Sequence, residues 1–153
     1  AKYYALLERR GISWEMLARF HGLVPTNRGE GAVFDLVRDV DGCVSRTLAD
    51  YLDSEELRSV HAQALRVALQ QLEAYLLRNR VVTMTLKAKN MVYRRTAENT
   101  GRLVLVDNVG NSDFIPLSNY SSWVARRKIA RKWRRFERVL DSHSPGLLCA
   151  AGV

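Results

Sequence analysis

Cysteine is almost missing from this chain. Only Cys43 and Cys149 occur, far apart and each without a partner at metal-ligand spacing. That excludes a disulfide scaffold and predicts reduced thiols. The three histidines, His21, His61 and His143, are equally scattered and have no Glu or Cys at zinc spacing, which argues against a zinc site. With three prolines and nine glycines, the chain is neither collagen-like nor of low complexity. No apolar run approaches the about 20 residues that cross a bilayer, and the opening AKYYALLERRG lacks the apolar core of a secretion signal. These absences predict a cytoplasmic protein. An initiator Met is also absent and the chain opens inside what reads as a helix, which predicts a piece of a longer product.

The 153 residues present, 47% apolar and 26% charged, suffice for one hydrophobic core and are too few for two. The net charge of +8 comes from one segment. Residues 1–120 carry 16 Lys and Arg against 14 Asp and Glu, whereas residues 121–140 carry eight against Glu137 alone.

Tyr3–Leu7 followed by Glu8-Arg9-Arg10-Gly11 reads as a helix closed by a left-handed glycine. Leu17–Val24 and Ala32–Val37 flank a turn-rich stretch and predict an antiparallel pair, with a break at Asp41-Gly42. Thr47–Asp53 predicts a short helix. Asp53 then has capping-box spacing to Glu56 and opens a long helix, whose stripe is Leu57, Val60, Ala64, Leu65, Ala68, Leu72, Tyr75 and Leu76. Met91–Tyr93 and Leu103–Val106 predict a hairpin around Thr96–Gly101. A last helix is expected from Ser121 or Ser122 to about Leu140, on an apolar stripe of Ala125, Ile129, Trp133, Phe136 and Leu140.

One constellation carries chemistry: a long helix, a loop ending in LKAKN, a hairpin, then DNVG. Protein kinases order a catalytic loop H-R-D-L-x-x-x-N before a metal-binding D-F-G, and Leu86, Asn90 and Asp107 fall where that order needs them. Mg²⁺ takes hard oxygen ligands, and an Asn amide oxygen with an Asp carboxylate can hold it against nucleotide phosphates. Either motif alone arises readily by chance. Their order, with a hairpin between them, is the informative feature.

These stretches, together with KYYALL, ARFHG, VFDLVRDVDG, VVTMTLKAKN and RRKIARKWRRF, closely resemble the PhoP regulatory network protein YrbL family of bacteria, whose members look like diverged protein-kinase-like domains. The resemblance covers roughly residues 1–140. It implies an α+β, mostly helical fold: the large lobe of a kinase-like domain preceded by the last small-lobe strands and hinge (residues 1–40), with 141–153 as a tail. ATP and Mg²⁺ are the implied cofactors. Asn90 and Asp107 are the implied metal ligands, Asp41 an implied ribose contact, and Lys87 a phosphate neighbour. A phosphoryl acceptor, protein or small molecule, would be the further partner. Two departures stand out. Thr85 occupies the position of the catalytic Asp, and a hydroxyl is no general base near neutral pH, a loss of roughly 10²–10⁴ in rate. The glycine-rich loop, the phosphate-pairing lysine and its helix glutamate are also missing from this sequence. The resemblance therefore implies a degenerate nucleotide-binding domain with impaired or atypical transfer.

The rival reading is a non-enzymatic regulatory or adaptor module. Arg126, Arg127, Lys128, Arg131, Lys132, Arg134, Arg135 and Arg138 would bind nucleic acid, an anionic membrane surface or an acidic partner. The stretch Asn111–Tyr120 leaves little room for a substrate-docking activation segment.

Overall fold

The computed structural model describes residues 2–107, 109–110 and 122–147. Among these it is an α+β fold of four α-helices and two small antiparallel sheets. Asn108, the 111–121 stretch that includes Ser121, and Cys149 lie outside the described residues.

Helix α1, Lys2–Arg9, ends as expected, with Gly11 at φ +61°. Strands β1 (Phe20–Thr26) and β2 (Gly29–Phe34) form the first hairpin, whose turn contracts to Asn27-Arg28. Pro25 and Gly31 belong to strands rather than to a long loop: a two-stranded ribbon is all edge, and there a missing N–H costs nothing. The hairpin is anchored at its base, where Tyr4, Trp14, Phe20 and Phe34 pack as an aromatic cluster with ring centroids 5.4–6.1 Å apart.

Helix α2 is Leu48–Asp53, opened by Thr47 in a reciprocal capping box with Asp50. The long helix α3, Glu55–Asn79, follows without a loop. Its cap is Ser54, which accepts from the Leu57 amide, and not Asp53, which closes α2. Full burial begins at Leu65 and continues through Ala68, Leu69, Leu72, Tyr75 and Leu76. Val60, expected in the stripe, is 63% exposed, whereas Leu57 and Ala64 are partly buried against the core. Arg80, in the left-handed region at φ 54°, ends the helix.

The second hairpin pairs β3 (Met91–Ala97) with β4 (Thr100–Leu105), longer than the sequence suggests and turning at Glu98-Asn99. Its base is buried on both faces, while its tip stands in solvent. Each edge gains a partner. Thr47 bridges Val92 and Leu17 bridges Leu105, so an isolated bridge covers each edge of the two-stranded ribbon. At Gly101 an added Cβ would stand 2.5 Å from the Tyr93 ring and 2.6 Å from the Arg94 carbonyl oxygen, so glycine permits the close approach of the strands.

The last helix, α4, is Ser122–His143, longer at its C-terminal end than expected. Ala125, Ile129, Trp133, Phe136 and Leu140 are all buried against the core that α3 centres.

Candidate functional site

The site is built around residues 81–90, the segment that leaves α3. Val81 and Val82 are buried and fasten it. The Val82 N–H donates to the Tyr3 hydroxyl at 2.7 Å, tying the segment to α1. The Val82 carbonyl accepts from the Gly110 N–H at 3.1 Å, and Thr83 forms an antiparallel bridge with Val109. A 3-10 turn, Ala88–Asn90, then leads into β3, and the Asn90 carbonyl accepts from the Val106 N–H at 3.0 Å. Asp107 therefore lies between two backbone crosslinks, one on each side, that hold its loop to the loop carrying Asn90.

Asn90 is 6% exposed, and its Nδ2 has no hydrogen-bond partner among the described residues. Buried amides normally find partners, so this group invites a ligand or an ordered water. Asp107 is exposed. Its charge is felt by Tyr4, whose hydroxyl is pushed up to about 12, chiefly by burial and then by that carboxylate. The described residues hold no cluster of three or more His, Cys, Asp or Glu side chains able to hold a metal. An amide oxygen and one carboxylate are too few to cage a bare cation. They suit Mg²⁺ that arrives with phosphates and keeps several waters.

The other expected contacts are scattered. Thr85 and Lys87 are exposed and line a groove of about 880 Å³ bounded by α2, residues 84–88 and α4. Asp41 pairs with Arg95 of β3 (Nη2 to Oδ2, 2.7 Å) and also accepts from the Cys43 N–H at 2.9 Å, so its carboxylate is engaged as a clamp. Asp35, at the start of the same connection, turns back to β1, where its carboxylate meets His21 Nε2 at 2.5 Å and the Arg19 N–H at 3.0 Å.

The eight basic residues of α4 divide into two sets. Lys128 is 7% exposed, and Lys132 donates its Nζ to the Thr83 carbonyl at 2.6 Å and to that of Met84. Lys128 is thus buried and Lys132, half-buried at the groove, is held by backbone carbonyls, a correction to the expectation of one solvated basic surface. Spaced three and seven residues from Ala125, they fall on the same helical face as the apolar stripe. Arg126, Arg127, Arg131, Arg134, Arg135 and Arg138 are exposed. Arg127 lies over the Trp123 ring, 5.2 Å from its centroid, and Trp123 itself is 66% exposed.

Asp39 and Arg95 were not singled out by sequence reasoning. Buried Asp39 accepts from Arg95 through Nε at 2.7 Å and through its backbone N–H at 3.0 Å, and from the Ser45 hydroxyl at 2.5 Å. Burial raises its pKa, but these hydrogen bonds outweigh burial and hold the carboxyl below its usual range. The alternation along β3 offered a signal: Met91 and Tyr93 point inward, and Arg95 is next on that face.

Two loops crosslinked at the foot of a hairpin, with a helix-lined basic groove beside them, belong to a domain of the α+β class. The family model described as PhoP regulatory network protein YrbL matches residues 1–141, and the chain belongs to that family. It is 43% identical over 135 residues to the YrbL proteins of Escherichia coli (strain K12) and Shigella flexneri. The alignment covers 88% of this chain and 64% of each relative's length.

Proposed function

We propose that this domain binds a nucleoside triphosphate with Mg²⁺ in the manner of a diverged protein kinase, with Asn90 and Asp107 as the metal's protein ligands. In this reading residues 1–40 are the end of a small lobe and its hinge, and residues 41–140 belong to a large lobe. The observation that carries it is the Asn90–Val106 backbone bond, which joins the loop of buried Asn90 to that of an exposed carboxylate; the Asn90 Nδ2, unpaired among the described residues, is a donor suited to a phosphate or water oxygen, leaving the amide oxygen for the metal. Thr85 offers no base, so binding is expected to exceed transfer. The Asp41 carboxylate would reach a ribose only by leaving Arg95, and Lys87 would serve phosphate as a mobile cation.

The experiment is a thermal shift on the full-length protein with ATP and Mg²⁺. At a hundredfold excess over Kd, stabilisation should reach about 2.7 kcal/mol. EDTA should abolish it, and Asp107→Asn and Asn90→Ala should each reduce it. A shift that survives both substitutions unchanged refutes the metal assignment, and no shift refutes nucleotide binding.

A second reading, capture of an anionic partner by α4, is favoured by the six exposed arginines on that helix.

A further inference from the structure

The groove bounded by α2, residues 84–88 and α4 differs from an ordinary solvated basic surface because it has an apolar floor. Leu52, Leu86, Phe136 and Leu140 line it, with Met84 and Val139 also contributing. Val139 is 52% exposed although it sits on a helix that buries its other face. Charge in the lining is one-sided: Lys87, Arg131, Lys132, Arg135 and Arg138 against Asp53. The walls are fixed to each other, since Lys132 bonds the Thr83 and Met84 carbonyls across the base of the groove. A preformed groove spares a ligand part of the ordering cost.

Arg131, Arg135 and Arg138 stand four and three residues apart on α4. At 1.5 Å of rise per residue they make a row about 10 Å long, with steps of about 6 and about 4.5 Å. An extended peptide repeats its same-side residues every ~6.6–7 Å, a longer step that the long arginine side chains can span. With acidic residues at alternate positions, its carboxylates would face the arginine row while the side chains between them turned to the apolar floor. A nucleic-acid duplex is held through its phosphates and leaves an apolar floor unused. A membrane surface would meet a protruding apolar face, whereas this one is recessed.

We propose that this groove docks an acidic peptide segment whose carboxylates alternate with apolar side chains. The proposal rests on the second reading above, that α4 captures an anionic partner, and is independent of the metal pair.

The test uses the full-length protein and a fluorescent peptide of about ten residues alternating Glu with Leu or Phe, read by anisotropy. A Glu–Ser peptide, a DNA duplex and phosphatidylserine vesicles serve as competing probes. The Glu–Leu/Phe peptide should bind at least about tenfold more tightly than Glu–Ser, because only it fills the floor. Arg135→Glu with Arg138→Glu, and separately Val139→Asp, should each weaken it by about tenfold or more. Arg126→Glu with Arg127→Glu, outside the lining, should change it by less than about twofold. All these positions are exposed, and circular dichroism verifies that each variant is folded. Equal weakening by both charge-reversal pairs overturns the groove in favour of diffuse attraction. Preferential binding of DNA or vesicles overturns it in favour of those partners. If no anionic probe binds at all, the second reading falls together with the groove.

Discussion

Arg95→Ala tests the clamp that holds residues 38–45 against β3. The substitution keeps the backbone N–H that Asp39 accepts and removes the 2.7 Å bond from Nε, together with the pairing to Asp41. Asp39 would remain buried with Ser45 and one amide as its partners. A hydrogen bond to a charged group contributes about 1.5–3 kcal/mol, and the exposed Asp41 pair adds little, so the expected loss is about 2 kcal/mol. At roughly 2–4 °C per kcal/mol for a domain of this size, Tm should fall by about 4–8 °C. Because the Asp39 pKa is held below its unfolded value, the carboxylate's contribution is present above that value and disappears as pH falls through the folded pKa. The gap between wild type and Arg95→Ala, measured by chemical denaturation from pH 7 to pH 2.5, should therefore close in the acid range below about pH 4. A Tm change under about 1 °C, or a gap independent of pH, would refute the clamp.

Three further outcomes follow from packing and caps. Gly101→Ala should lower stability by about 2 kcal/mol, since its Cβ meets the Tyr93 ring and a backbone carbonyl; a urea midpoint unchanged from wild type would contradict that close approach. Thr47→Ala removes one half of the α2 capping box and should cost about 1 kcal/mol by the same assay, whereas Thr47→Ser should recover most of it. Lys132→Met keeps the stem and deletes two bonds to carbonyls, for a loss of about 1–2 kcal/mol and faster hydrogen exchange in residues 83–88.

The elements that were legible in the sequence are those whose signal is local. The stripe of α4 appears at the expected five positions because a 3.6-residue period marks a buried face directly. The same period placed Lys128 and Lys132 on that face, yet their charge suggested solvent. Their long apolar stems explain how a lysine can sit there with its ammonium directed to an acceptor. The α3 cap moved by one residue because Asp53 and Ser54 are both good caps, and the end of α2 decided between them. The hairpin between LKAKN and DNVG was legible from its strands, and with it the meeting of the Asn90 and Asp107 loops. Asp39 and Arg95 lie 56 residues apart and no periodicity links them, so only the folded chain brings them together. The groove depends on tertiary structure in the same way: Leu52, Met84 and Val139 come from three separate elements.

Both proposed binding regions share one wall, the segment 81–90. On one side Tyr3 holds it through Val82, and Gly110 and Val106 hold it through Val82 and Asn90. On the other side Lys132 holds it through Thr83 and Met84. A chain so fastened has few conformations left, so little entropy remains to be lost when a ligand meets either side of it. That accounts for a segment of mixed polarity holding its course with a single 3-10 turn, Ala88–Asn90, as its regular structure. It also separates the roles of the basic residues of α4: Lys132 fixes the wall, while the exposed arginines beside it supply the field that an anionic partner would meet.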